Sequence, residues 1–207
     1  MQDYITVEGF AVDEFVEKKS RFIGYAKHVE SEEEAMAFVN EIKQKHWDAT
    51  HNVYAYVLRD GMTRRYSDDG EPQGTAGIPT LDVILKENIV DVCVVVTRYF
   101  GGILLGGGGL VRAYSQGCRV ALSASRKLYM TPCTILEIAV DYSFYGKLTY
   151  ILPKYNIKTL DSEFGADIVL KLMIKSDRLD AFSKELTELS GGTVDFDILE
   201  EVFEDMK

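Results

Sequence analysis

The chain has 207 residues, of which 46% are hydrophobic and 27% are charged, and its net charge is −10. These proportions are typical of a globular protein and exclude disorder, and the longest apolar stretches are far shorter than the roughly 18 residues of a membrane-spanning helix. The net charge argues against a general basic coat for nucleic acid, so any polyanion site must be local. Because the N-terminus lacks a signal-peptide pattern and the three cysteines are widely spaced, we expect a cytoplasmic protein with no membrane partner.

The first half of the sequence predicts an antiparallel sheet with helices. Residues 4–29 mix β-branched and aromatic residues with charges, and breaks at Gly9 and Ser20 indicate two or three strands. Ser31 and Glu34 form a capping box that begins a helix, which ends near His46. The following elements are a buried strand, a long polar loop, a short helix, a second buried strand and a long helix. They are predicted over residues 51–58, 59–77, 79–87, 91–99 and 110–125.

The second half predicts strands and helices in the order β-α-β-β-α-β. Strands are expected at 133–142, 156–160, 166–174 and 193–203, and helices at 144–155 and 178–189. In the last strand, Val194, Phe196 and Ile198 share one face, and Asp195 and Asp197 lie on the other. This order is the split βαβ pattern of ferredoxin-like domains. We therefore expect an α+β protein of two domains, residues 1–130 and 131–207, with the junction between Lys127 and Pro132.

Glycine gives the strongest local signal, because six of the nine residues from 101 to 109 are glycine. This glycine cluster lies between a predicted strand and a predicted helix, with Arg98 and Arg112 close by. Free backbone N–H groups, the positive end of a helix dipole and the absence of side chains are together suited to holding an anion. The alternative is that the glycines permit a tight turn or close packing of the helix on its sheet. The cluster is not a Walker A loop, since Gly107 stands where lysine is required.

An acidic loop, residues 67–71, contains Asp68, Asp69 and Glu71. These carboxylates could hold Mg²⁺ or contact a partner, whereas the alternative is a solvated turn. We expect the loop to lie near the glycine cluster, because two glycine-rich segments are most simply explained by one shared site. Neither a zinc site nor a serine hydrolase is supported, since the three histidines lack ligand spacing and no Gly-x-Ser-x-Gly elbow is present. The sequence therefore identifies no catalytic residue.

Three long motifs connect these features to a known family. They are Lys-Lys-Ser-Arg-Phe-Ile-Gly at 18–24, Tyr-Ser-Asp-Asp-Gly-Glu-Pro with Gly-Thr-Ala-Gly at 66–77, and Val-Thr-Arg-Tyr-Phe-Gly-Gly followed by Leu-Gly and Gly-Gly-Leu-Val-Arg-Ala-Tyr at 96–114. This pattern closely resembles the bacterial YigZ proteins of the IMPACT family. Gly107 is a departure, because the family usually has a small residue such as Thr or Ala there.

The resemblance implies an N-terminal domain with the ribosomal protein S5 domain 2-like fold and a ferredoxin-like C-terminal domain similar to domains III and V of elongation factor G. Eukaryotic members regulate translation initiation by competing for an activator of an initiation-factor kinase, so a translation-linked regulatory role is implied. The family brings no catalytic residues, but it brings a shared surface. The predicted ligand residues on and around that surface are Lys19, Arg21, Arg98, Tyr99, Gly101, Gly102, Gly106, Gly108, Gly109 and Arg112.

Two functions follow from these observations. The first is a binding protein that contacts RNA, the ribosome or a translation-associated protein through a groove beside the glycine cluster. The acidic net charge argues against RNA binding by this protein. A basic surface that is separate from the acidic surface would remove this objection. The second is an enzyme acting on a phosphorylated or nucleotide substrate, a phosphate-containing small molecule, with Mg²⁺ held by the acidic loop. Because no general base or nucleophile is evident, we favour the binding protein.

Overall fold

The computed structural model describes residues 2–59 and 62–206. The chain divides into two compact units, one of residues 4–128 and one of residues 129–206 together with residues 2 and 3. None of the helices in the described part of the chain is both long enough and apolar enough to span a membrane. The two units are the two α+β domains that the sequence predicts.

The N-terminal unit is built on a five-stranded sheet. The strands of this part of the chain are β1 (Tyr4–Val7), β2 (Phe10–Glu17), β3 (Ser20–His28), β4 (His51–Val57), β5 (Arg64–Ser67) and β6 (Val92–Tyr99), of which β1 lies outside this sheet. Strands β2 to β6 form the sheet in the order β2-β3-β6-β4-β5, and every neighbouring pair is antiparallel. β1 adjoins the segment before β6, where the Ile5 carbonyl accepts a 2.9 Å hydrogen bond from Val90 N. The predicted breaks near Gly9 and Ser20 are confirmed.

Helices cover both faces of this sheet. They are α1 (Glu32–Lys45), α2 (Gly77–Lys86) and α3 (Gly107–Ala124). Alternate residues of a strand point to opposite faces, so β6 contributes to two separate cores. Cys93 and Val95 pack in the core that contains α1, whereas Val92, Val94 and Val96 pack with α3. A strand buried on both faces explains why its sequence is continuously apolar.

Local sequence signals set the start of the first helix. The Ser31 hydroxyl accepts a 3.1 Å hydrogen bond from Glu34 N, and the Glu34 carboxylate accepts one of 2.8 Å from Glu30 N. These bonds satisfy N–H groups that a helix start would otherwise leave without partners. The helix ends at Lys45, with His46 as its C-cap, as predicted.

Two predicted boundaries in this unit are wrong. The long loop at 59–77 contains strand β5, because the pairing of Val57 with Arg64 and of Tyr54 with Ser67 continues the sheet through polar residues. Helix α3 begins at Gly107 rather than Leu110. Glycine has a low helix propensity, which hid the first turn of this helix in the sequence.

The C-terminal unit has the predicted β-α-β-β-α-β order. Its elements are β7 (Lys127–Val140), α4 (Tyr142–Ile151), β8 (Lys158–Phe164), β9 (Ile168–Lys175), α5 (Leu179–Ser190) and β10 (Phe196–Asp205), with short 3-10 helices at Leu152–Tyr155 and Ser176–Arg178. The strands are antiparallel in the order β10-β7-β9-β8. Residues of α4 and α5 share one core with these strands. This arrangement confirms the ferredoxin-like prediction.

Two details of this unit differ from the sequence prediction. β7 begins at Lys127 rather than Cys133, so the predicted junction between Lys127 and Pro132 lies inside a strand. The pairing of Phe203 with Pro132 extends the sheet beyond the apolar stretch that the sequence shows. Ile198 is 56% exposed, and the register between β10 and β7 shifts immediately after it, between Ile198 and Glu200.

Helix α3 crosses the N-terminal sheet at a contact between two glycines. A Cβ atom added to Gly24 on β3 would lie 2.1 Å from the carbonyl oxygen of Gly117 on α3. A Cβ atom added to Gly117 would lie 2.6 Å from Val96 Cγ1. Both glycines are therefore required for the helix backbone to approach the sheet this closely.

We expect Gly24→Ala to lower the free energy of unfolding by about 2 kcal/mol or more, because the helix must move away from the sheet. Urea denaturation followed by circular dichroism measures this change. The matched control is Gly146→Ala, since Gly146 is an exposed glycine of α4 where an added Cβ meets nothing within 4 Å. Equal stability of the two variants would contradict the close crossing.

Candidate functional site

The acidic loop is fixed by hydrogen bonds to its own neighbourhood, beginning with Asp68. One carboxylate oxygen of Asp68 accepts hydrogen bonds from Ala76 N at 3.1 Å and Gly77 N at 2.8 Å, and the other accepts one from Gly74 N at 2.8 Å. These N–H groups belong to the first turn of α2 and the residues before it. Asp68 therefore caps α2, where a negative charge also favours the positive end of the helix dipole.

Asp69 holds the loop against α1 and β4. Its carboxylate accepts hydrogen bonds from Lys43 Nζ at 2.6 Å and from Asn52 N at 2.7 Å, and its carbonyl accepts one from His51 Nδ1 at 2.7 Å. The carboxylates of Asp68 and Asp69 thus have separate partners. Among residues 2–59 and 62–206, no group of three His, Cys, Asp or Glu side chains is arranged to hold a metal ion.

Glu71 is the buried centre of the site. One of its carboxylate oxygens accepts hydrogen bonds from Arg98 Nη1 at 2.6 Å and from the Tyr114 hydroxyl at 2.8 Å, and the other lies 3.7 Å from His51 Nε2. The side chains of Glu71 and Arg98 are only 4% and 6% exposed. Burial and the Glu71 charge raise the pKa of Tyr114, so its phenol remains a hydrogen-bond donor.

This network joins the acidic loop to β6 and α3, the two elements that flank the glycine cluster. The expected proximity of loop and cluster is therefore found. Arg98, however, is buried inside the network rather than placed on the surface, where an anion would approach. Its Nη1 donates to Glu71, and its buried Nε has no hydrogen-bond partner among the described residues.

The alternation of strand β6 separates the predicted ligand residues. Tyr99 lies on the α1 face, where its hydroxyl accepts a 2.8 Å hydrogen bond from His46 Nδ1 and donates one of 3.1 Å to Asp48. Burial lowers the pKa of His46, which keeps the imidazole neutral in this chain. Arg21 pairs with Tyr99 in the sheet register and forms a 2.5 Å ion pair with Glu14. Tyr99 and Arg21 are therefore not grouped with Arg112 on α3.

Four glycines of the cluster have a structural reason to be glycine. A Cβ atom on Gly101 would lie 2.0 Å from the carbonyl of Lys19, in the turn of the β2-β3 hairpin. Gly102 and Gly106 have φ angles of 83° and 74°, in the left-handed region that favours glycine. At Gly109, a Cβ atom would lie 3.0 Å from Leu105 Cβ. Packing and backbone geometry thus account for these four positions.

Gly107 and Gly108 have no such reason. Both are exposed in the first turn of α3, and the nearest atoms to an added Cβ are Thr75 Cγ2 at 3.9 Å and Arg112 Nη1 at 3.7 Å. Glycine in a helix costs about 1 kcal/mol relative to alanine. Their exposed backbone also adjoins the Arg112 guanidinium, and the first turn has neither an acidic residue nor a side-chain cap.

A basic groove of about 350 Å³ lies between the β2-β3 hairpin and α3. Its charged residues are Lys18 and Glu17 from the hairpin and Arg112 and Arg119 from α3. Gln116 accepts a 3.4 Å hydrogen bond from Arg119 Nε. Lys18 and Arg112 form no hydrogen bond or ion pair with any described residue, so their charges remain available. The apolar part of the lining is Phe15, Leu105 and Ala113, and Gly109 completes it.

The sequence carries one signal that would have located this groove. Between residues 92 and 136 there is no Asp or Glu, although the chain contains 33 acidic residues. The same segment contains five basic residues, which are Arg98, Arg112, Arg119, Arg126 and Lys127. Lys18 also lies in the first family motif, but the prediction selected Lys19. Lys19 occupies the hairpin turn with a φ of 65° and is not part of the groove lining.

The fold and the site define a two-domain α+β protein with a glycine-rich helix start beside a basic groove. The Impact N-terminal domain matches residues 18–122, and a domain of unknown function, DUF1949, matches residues 138–193. The chain is 35% identical to the IMPACT family member YigZ of Escherichia coli K12 over 187 residues, which cover 89% of this chain and 92% of that protein. This chain belongs to the IMPACT family, as its motifs predict.

Two further similarities extend across the family. The chain is 42% identical to the protein IMPACT homolog of Dictyostelium discoideum over 96 residues, 44% of this chain and 27% of that protein. A crystal structure described as that of a hypothetical protein is 32% identical, covers 97% of this chain and 98% of the other, and superimposes with a TM-score of 0.61. The fold is thus shared with a solved structure over nearly the whole chain.

We expect Glu71→Gln to lower the free energy of unfolding by about 3 kcal/mol, because it leaves the buried Arg98 charge without its counter-ion. Thermal and urea denaturation measure the loss. The control is Glu14→Gln, which breaks an exposed ion pair and should cost less than about 1 kcal/mol. A Glu71→Gln protein as stable as the control would show that the carboxylate does not hold the fold.

Proposed function

We propose that this protein is a translation-linked binding protein that holds the phosphates of RNA, including ribosomal RNA, in the basic groove. Membership of the IMPACT family supports the link to translation, because the resemblance implies that role for its eukaryotic members. The Impact N-terminal domain matches residues 18–122, which include Lys18, Arg112 and Arg119. These basic residues of the groove therefore lie in the part of the chain that matches the family domain.

The observation that carries the proposal is the pair of exposed glycines at the start of α3. The first N–H groups of a helix have no partner within it, and they attract anions together with the helix dipole. At Gly107 and Gly108 no side chain stands between these groups and a ligand. Arg112 Nη1 lies beside Gly108, so a phosphate there would accept hydrogen bonds from backbone and guanidinium together. Gly107 and Gly108 lower the stability of the helix, and packing does not require them. Binding of a ligand would account for glycine at both positions.

The distribution of charge supports the same proposal. A net charge of −10 opposes RNA binding in general, but the segment between residues 92 and 136 has no acidic residue, and two of its five basic residues, Arg112 and Arg119, line the groove. Lys18 and Arg119 extend the positive charge of Arg112 along the groove. Electrostatic attraction to phosphates acts over about one Debye length, so a local basic surface is sufficient.

The residues proposed here to bind RNA differ from the ligand residues predicted from the sequence. Arg112, Gly108 and Gly109 stay, and Gly106 and Gly102 shape the loop that leads to them. Lys18 and Arg119 are added. Arg98, with Asp68, Asp69 and Glu71, forms the framework beneath the site, so the Mg²⁺-dependent enzyme has no free carboxylates there and is not taken further.

We expect Gly108→Ala to weaken RNA binding about tenfold, since its methyl group occupies the approach to the helix N–H groups and to Arg112. Fluorescence anisotropy with a labelled single-stranded RNA of about 12 nucleotides measures the affinity. The free energy of unfolding should stay unchanged or rise by up to about 1 kcal/mol. Gly146→Ala gains the same helix propensity in α4 and should leave RNA binding unaltered.

We expect Arg112→Ala to weaken the same interaction by about 1.5–3 kcal/mol, the contribution of a charge-assisted hydrogen bond to phosphate. The slope of log K against log salt should also become shallower by about 0.7, because one phosphate contact is lost from a single strand. RNA binding that survives both Gly108→Ala and Arg112→Ala at full strength would exclude the start of α3 and Arg112 as phosphate contacts. A wild-type protein that binds no RNA at low salt would refute the proposed function.

A further inference from the structure

The lining of the basic groove suits a single strand better than a duplex. Lys18 approaches from the hairpin, and Arg112 and Arg119 stand seven residues apart on α3, about 10 Å along the helix axis. Phe15, Leu105 and Ala113 form an apolar lining among these charges. A duplex presents phosphates outward and hides the faces of its bases, so it would leave this apolar surface uncovered. A single strand can place its backbone on the cations and a base on the apolar lining.

Phe15 is held in a suitable position for such a base. Its ring stacks on Phe22 with centroids 5.2 Å apart and planes only 9° from parallel. Phe22 is fully buried, whereas Phe15 is partly exposed and lines the groove. The stacking on Phe22 fixes the ring of Phe15 where it lines the groove. Stacking on an aromatic ring is tolerant of base type, so it does not by itself select a sequence.

Glu17 is the one acidic residue in the described lining of this groove. Its exposed side chain forms no hydrogen bond or ion pair with another described residue. A negative charge beside a bound polyanion lowers affinity unless it contacts a donor. Cytosine N4 and adenine N6 are exocyclic amino groups that can donate a hydrogen bond to this carboxylate, whereas uracil has the acceptor O4 at the corresponding position.

We propose that the basic groove binds single-stranded RNA and that Glu17 selects cytosine and adenine over uracil. The carboxylate accepts a hydrogen bond from the amino group while the base packs on Phe15. Uracil places its O4 against the same carboxylate and is repelled. This inference rests on the proposed function, because it requires that RNA enters the groove.

The experiment compares wild-type protein with Glu17→Gln by fluorescence anisotropy, using labelled oligocytidylate, oligoadenylate and oligouridylate of about 12 nucleotides. Wild type should bind the first two about tenfold more tightly than oligouridylate. Glu17→Gln should remove most of this preference and strengthen oligouridylate binding, since an amide can donate to O4 and carries no charge. An RNA duplex of equal length should bind wild type about tenfold more weakly than oligocytidylate.

Glu14→Gln is the matched control, because it removes the same charge from the same strand but lies outside the groove lining and pairs with Arg21. It should keep the wild-type preference. Equal affinity of wild type for all three oligonucleotides, an unchanged preference in Glu17→Gln, or equal binding of the duplex would each overturn the inference while RNA binding itself still supports the proposed function. Absence of any RNA binding by wild type would refute both.

Discussion

The buried ion pair between Glu71 and Arg98 is the interaction on which the N-terminal unit depends. It joins a loop, a sheet and a helix at one carboxylate, since Glu71 also accepts the hydrogen bond of Tyr114. Taking both charges out of water is costly, and their close contact and the additional hydrogen bond offset that cost. Because the pair fixes the loop against β6 and α3, the start of α3 is held in a defined position beside the groove.

Glycine serves two purposes within a few residues of this pair. Gly24 and Gly117 allow α3 to lie close on the sheet, and Gly101 allows the loop before α3 to touch the hairpin turn. These positions are explained by contact distances of the fold. Gly107 and Gly108 have no such explanation, because the nearest atoms to an added Cβ atom at these positions are no closer than 3.7 Å. The same residue type thus marks internal packing in one place and access to the backbone in another.

Acidic and basic residues are unevenly distributed in this protein, and the net charge does not show this. The acidic residues of the chain are numerous, yet they are absent between residues 92 and 136, and those of the 67–71 loop are used as internal hydrogen-bond acceptors. An overall acidic protein can therefore present a basic groove. Repulsion between its acidic surface and other parts of an RNA would limit binding to short segments, which agrees with a groove of about 350 Å³.

The two α+β domains, the capped first helix, the ferredoxin-like order and the family could be predicted from the sequence, because they depend on periodicity, capping residues and contiguous motifs that act locally. The sequence could not decide which residues share a surface. Whether Arg98 faces α3 while Tyr99 faces α1 depends on the pleat of β6 within its sheet, and whether Glu71 is a ligand or a buried counter-ion depends on residues distant in sequence. These points depend on the tertiary structure, because side-chain burial and strand pairing arise only when separate segments of the chain come into contact.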